Sequence, residues 1–300
     1  MRTAFPNGSY AVPIFALIFL LGAVTLGAQS TRVVTVVAAE NFYGDIVQQI
    51  GAEHVAVTSI MSDPNIDPHE YESSVDDAKA LASADLVIEN GGGYDDWMDK
   101  LLSASPSASR VVLKGFDIAP NKLPDNEHVW YSPDNAGAIA HAIERSLAAK
   151  LPEDSALFSK NDQAFQESLM RIKQKFAQIS ARWSGTPVGL TETIFLYQAE
   201  PLGLKVLTPF EFQKAIAEGN DPPADAVVEA ENQIKEKKIR ILIYHEQTVS
   251  AITTKARDDA KAAHIPVVGV TETMPQGETY QTWMARQLDE VRMALGGAGS

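Results

Sequence analysis

The sequence predicts an α/β fold of two similar lobes, each a mainly parallel sheet with flanking helices, joined by one long rigid helix. Three observations carry this. Short β-branched apolar runs alternate with helical stripes through the first half of the chain, the pattern of strand–helix–strand units with helices on both faces of a sheet. A single long amphipathic stripe comes next, and past Ser184-Gly185 the alternation begins again. With 300 residues, 45% of them hydrophobic, the chain can bury more than one core.

Taken in order, Ala11 to Leu26 is apolar and uncharged behind a lone Arg2, and it ends in small residues at Gly27-Ala28. It is short for a membrane span, which needs about 20 apolar residues. Residues 1–28 therefore read as a secretory signal peptide cleaved near Ala28, with an uncleaved N-terminal anchor as the alternative. The sequence contains no cysteine. Stability must come from packing alone, thiolate metal ligation is excluded, and a free periplasmic protein is expected rather than a lipoprotein. A formal charge of −14 speaks against nucleic acid as a partner.

Residues 29–150 form the expected N-terminal lobe. Val33, Val34, Val36 and Val37 read as a strand buried on both faces. Tyr43, Ile46, Val47 and Ile50 recur at helical spacing up to Gly51, which reads as a C-cap. His54 to Met61 is a strand, Asp67 to Glu72 a polar loop, Val75 to Ala84 a helix and Asp85 to Glu89 a strand. The Gly91-Gly92-Gly93 turn, a short helix around Trp97 to Leu102 and a strand at Arg110 to Leu113 come after it. Asn121 to Pro133 is loop, and a helix from Asp134 breaks at Leu151-Pro152.

Residues 151–184 are the connecting helix. Phe158, Phe165, Leu169, Ile172, Phe176 and Ile179 mark its stripe over Asp154 to Trp183, about 45 Å at ~1.5 Å per residue. In the C-terminal lobe, 185–300, strands are expected at Val188 to Thr191, Lys205 to Leu207, Ile239 to Tyr244 and Pro266 to Val270, with helices between them and a last one at Tyr280 to Leu295.

In parallel sheets ligands bind beyond the carboxyl ends of the strands. Of the six histidines, His54, His141 and His264 read as surface or capping residues. His69 and His128 lie in proline-stiffened loops after first-lobe strands. Glu192 and Glu272 each come just after a second-lobe strand, and His245 after another on the same edge. Singly, each has a plain alternative: Glu192 suits the first turn of a helix, Glu272 a solvated loop. Together His69, His128, Glu192 and Glu272 make an N2O2 shell suited by ligand type to Zn2+ or Mn2+. His245 is an alternative ligand or a neighbour that orients a carboxylate, and Glu70, Glu72 and Glu246 are further orienting candidates. Ligand imidazoles must be neutral, so affinity is expected to fall below about pH 6.5.

The chain resembles the cluster A-I metal-binding receptors of bacterial ABC transporters, the zinc and manganese solute-binding proteins. The resemblance rests on VVTVVAAENFYGDIVQQIG, the D-P-H-E-Y-E loop, N-G-G-G-Y-D-D-W, H-V-W-Y-S-P, T-E-T-I-F-L-Y and G-V-T-E-T-M-P, in that order over the mature chain. It implies one metal ion held in the cleft between the lobes by a monomer and delivered to a membrane permease with its cytoplasmic ATPase, without catalysis and without an organic cofactor. His69 and His128 match the family's histidine ligands. Glu192 stands where many zinc receptors have a third histidine and manganese receptors a glutamate, and Glu272 at or beside the usual aspartate. The competing readings are a periplasmic zinc hydrolase, for which H-E-x-x-H and G-x-S-x-G are missing, and a receptor for an organic metal chelate.

Overall fold

Buried apolar runs form the central strands of each sheet and more exposed runs its edges. The protein is described by a computed structural model covering residues 1–4, 8, 32–63 and 71–296. The Ala11 to Leu26 run, the cleavage position near Ala28, His69, Glu70 and the last four residues lie outside the described residues. The chain divides into two units, Met1–Thr31 and Arg32–Ser300, and the strands and helices among the described residues belong to the second.

The first sheet comprises β1 (Val34–Glu40), β2 (Val55–Met61), β3 (Leu86–Glu89) and β4 (Val111–Lys114) in the order β2-β1-β3-β4, all parallel. Helices α1 (Asn41–Gly51), α2 (Val75–Ala82), α3 (Asp96–Ala104), the single turn α4 (Gly115–Ile118) and α5 (Pro133–Lys150) flank it. The second sheet, β6-β5-β7-β8, is also parallel: β5 (Pro187–Leu190), β6 (Lys205–Val206), β7 (Leu242–His245) and β8 (Val267–Val270). Its helices are α7 (Leu196–Ala199), α8 (Phe210–Ala217), α9 (Ala224–Lys235), α10 (Ala251–Ala262) and α11 (Tyr280–Gly296). Between the lobes, α6 (Ser155–Trp183) runs for 29 residues and buries the whole expected stripe from Phe158 to Ile179. It packs on α1 and α5 of the first lobe and on α11 of the second. One hydrophobic cluster, from Val34 in β1 through Trp130 to Trp283 and Leu295 in α11, therefore belongs to both lobes.

Two local readings change. Gly51 does not make the left-handed turn that ends α1; Ala52 does, at φ 49°. Gly51 is required for room instead, since a Cβ there would stand 2.3 Å from the Val55 side chain. His54 is buried rather than superficial, its Nδ1 lying 2.9 Å from Asp154 and its ring edge-on to Phe158. That pair ties the entry of β2 to the turn that starts α6. Among the described residues no helix is long and apolar enough to cross a membrane.

Candidate metal centre

The carboxyl ends of both sheets meet where the loops after β4, β5, β7 and β8 converge. His128 sits in the loop ahead of α5, just before a 3-10 turn, Val129–Tyr131, whose aromatic side chains anchor it. Trp130 stacks on Phe42 with centroids 4.6 Å apart, and its carbonyl accepts the Tyr280 hydroxyl at 2.6 Å. The imidazole is oriented by Asn126, whose side-chain oxygen accepts the His128 backbone N–H at 3.1 Å and faces ring Nδ1 at 2.9 Å. Because the Asn126 amide nitrogen donates to Thr193 O at 2.9 Å, its oxygen must be the acceptor, so Nδ1 carries a hydrogen and Nε2 is the nitrogen whose lone pair becomes available when the ring loses its second proton.

Glu192 lies just past β5. Its Oε2 accepts the Ile194 N–H at 2.7 Å and its Oε1 the Thr193 hydroxyl at 2.8 Å. Glu272 lies just past β8 and is held from both lobes. The first-lobe Tyr94 hydroxyl donates to Oε2 at 2.8 Å, and Gln247 Oε1 accepts the Glu272 backbone N–H at 2.6 Å. Asn41, at the start of α1, grips the same loop by donating to Met274 O at 2.6 Å and accepting from Met274 N at 3.0 Å.

These supports bring His128, Glu192 and Glu272 together, with one ligand atom of each within 4.8 Å of the others. His128 Nε2 lies 3.8 Å from Glu192 Oε1 and 3.6 Å from Glu272 Oε1. Donors about 2.0–2.1 Å from a tetrahedral ion stand roughly 3.3–3.4 Å apart, so a shift of a few tenths of an ångström would seat one ion among them. His245 stands beside the cluster, Nε2 3.4 Å from Glu272 Oε1. His69 is outside the described residues. Glu72 and Glu246, by contrast, are exposed and do not join the group.

Burial alone would depress the His128 imidazole, but Glu192, and then Glu272, outweigh it and push the ring up to about 10. Burial first, then the Glu272 charge, keep the Tyr94 hydroxyl protonated and donating. Burial, and then the Asp95 charge, raise the Glu40 carboxyl at the end of β1 well above its ordinary range. The raised His128 value replaces the threshold near 6.5 expected from an ordinary imidazole. Its contribution to metal-free stability is complete below about pH 6.5 and is lost as pH rises through about 10. A cation bound at Nε2 must displace that proton. Uptake at about pH 7.5 is therefore expected to release about one proton, read by calorimetry in buffers of different ionisation enthalpy; identical heats in all buffers would contradict it.

Sequence reasoning missed Tyr94, Asn126 and Thr193, the groups that orient the ligands. Tyr94 lay in plain view in the N-G-G-G-Y-D-D-W turn, and Asn126 two residues before His128.

Two α/β lobes with a buried imidazole and two carboxylates at their junction define a bilobal protein with a centre of metal-ligand type. The chain belongs to the family described as zinc-uptake complex component A, periplasmic, whose model matches residues 36–294. The manganese-binding lipoprotein MntA of Bacillus subtilis is 25% identical over 96% of this chain and 99% of its own length. The iron-binding protein YfeA of Yersinia pestis is 28% identical over 69% of this chain and 67% of its own. In fold, the periplasmic zinc-binding protein TroA from Treponema pallidum superposes with a TM-score of 0.74 at 21% identity, covering 88% of this chain and 99% of that one.

Proposed function

We propose that this protein is a periplasmic receptor that captures a divalent transition metal ion, zinc or manganese, and delivers it to the permease of an ABC importer driven by a cytoplasmic ATPase. The observation that carries this is the buried grouping of His128, Glu192 and Glu272, contributed by both lobes and oriented by neutral hydrogen-bonding groups. His69, which follows β2 in the sequence, completes the proposed ligand set. Family membership supports the metal class, and relatives named for manganese and iron beside a neighbour named for zinc leave the ion to the donor set. Two carboxylates harden the site towards Mn2+ relative to a three-histidine site, whereas Zn2+ binds most such sets more tightly. Binding without turnover fits carboxylates held in fixed orientation, Glu272 through Oε2 by Tyr94 and Glu192 by Thr193 and Ile194.

Metal should stabilise the folded chain by mass action, about 4 kcal/mol at a thousandfold excess over Kd. Thermal melts with Zn2+ and with Mn2+, alongside elemental analysis of protein purified without added metal, test this. A melt unmoved by both ions in excess would defeat the reading.

A further inference from the structure

Among the described residues, His245 is the buried histidine at this junction that the four-ligand reading leaves without a task. It closes β7, pairs in register with Val270 of β8, and is 1% exposed. Its backbone N–H donates to Thr191 Oγ1 at 2.9 Å, the residue before Glu192, so the ring is built into the sheet edge that carries both carboxylates. Neither ring nitrogen has a hydrogen-bond partner among the described residues. Buried polar atoms are seldom left so, and those that are call for a reason.

Glu272 supplies one. Glu272 Oε1 lies 3.4 Å from His245 Nε2 and 3.6 Å from His128 Nε2, while Oε2 already accepts the Tyr94 hydroxyl. Resting on the receptor reading, we infer that His245 is a positioning residue that sets metal selectivity through Glu272. With the ion in place, the Nε2–H of His245 closes on Oε1 and leaves that oxygen one lone pair for the metal. Tyr94 holds the other oxygen, so the carboxylate cannot swing round to ligate through both. One-oxygen ligation keeps the coordination number low, which suits tetrahedral Zn2+; Mn2+ favours a fuller, oxygen-rich shell.

The test uses the full chain as wild type, His245→Leu and His245→Gln. Glutamine can set an amide N–H where Nε2 stands, and leucine cannot. Affinities for Zn2+ and for Mn2+ are measured by competition against a chromophoric chelator, and the coordination number is read from the visible absorption of the Co2+-loaded protein. His245→Leu is expected to weaken Zn2+ binding about 10- to 100-fold, to leave Mn2+ nearly unchanged, and to lower the intense absorption of four-coordinate Co2+. His245→Gln is expected to restore both the ratio and the spectrum. If leucine is poorly tolerated, His245→Asn, too short to reach the Nε2 position, makes the same comparison. An unaltered Zn2+/Mn2+ ratio in the leucine or asparagine variant, or a glutamine variant that restores nothing, overturns the assignment while leaving the receptor reading intact. A wild-type chain that binds neither ion overturns both.

Discussion

A chain carrying His128→Ala is expected to lose tight metal binding and, free of metal, to unfold about 3–5 kcal/mol more readily than the parent. Both effects come from one geometry. In the metal-free protein the protonated ring is the cation facing Glu192 and Glu272 at 3.8 and 3.6 Å, and all three side chains are buried. Removing it leaves two buried carboxylates facing one another without that cation, which is the costly way to break a buried ion pair. For metal, the loss should exceed the ~10–100-fold that removing an orienting neighbour costs, because a proposed ligand itself is gone. Denaturant unfolding of the metal-free protein and a calorimetric titration with Zn2+ read the two effects separately. The charge argument has a further check: with Glu272→Gln already in place, His128→Ala should cost markedly less, because one of the two facing charges is absent. Unchanged Zn2+ affinity in the single variant would sink the assignment of His128 as a ligand.

Much of this site was legible because its parts obey rules that act locally. A buried parallel strand announces itself by Val-rich runs such as Val33 to Val37, and residues just past its carboxyl end fall on the functional edge. That logic singled out Glu192 and Glu272, with His128 as a histidine in a loop after a first-lobe strand, and the stripe from Phe158 to Ile179 gave α6 almost to the residue. The parts that stayed hidden depend on contacts distant in sequence. Tyr94 reads as a turn residue until its hydroxyl meets Glu272 from the other lobe, and Asn41 as an ordinary helix start until it pairs with both backbone groups of Met274. The charge state of His128 was out of reach for the same reason, since its facing carboxylates come from the second lobe. The strand expected over Ile239 to Tyr244 runs instead over Leu242–His245, which draws His245 into the sheet rather than the loop after it.

Trp283→Ala is expected to cost about 3–5 kcal/mol, the range for deleting a fully buried large aromatic, and to weaken metal binding through the loop that carries Glu272. The ring is fully buried in α11 and packs edge-on against Tyr131 at 5.8 Å and on Phe42 at 6.1 Å, both first-lobe residues. Its indole N–H donates to Thr271 Oγ1 at 3.1 Å, and the carbonyl of Thr271 lies 2.5 Å from the Tyr131 hydroxyl. Thr271 is the residue before Glu272. Truncating Trp283 thus opens a cavity in the core that both lobes share and releases one of the anchors of the loop that carries the carboxylate. Because that core is continuous from β1 to α11, both lobes should lose structure together, with tryptophan fluorescence and far-ultraviolet circular dichroism reporting coincident transitions in wild type and variant alike. Two separated transitions in the wild-type protein would show that the lobes are energetically independent. In that case the halves of the metal centre would have to be held in register by the ion itself.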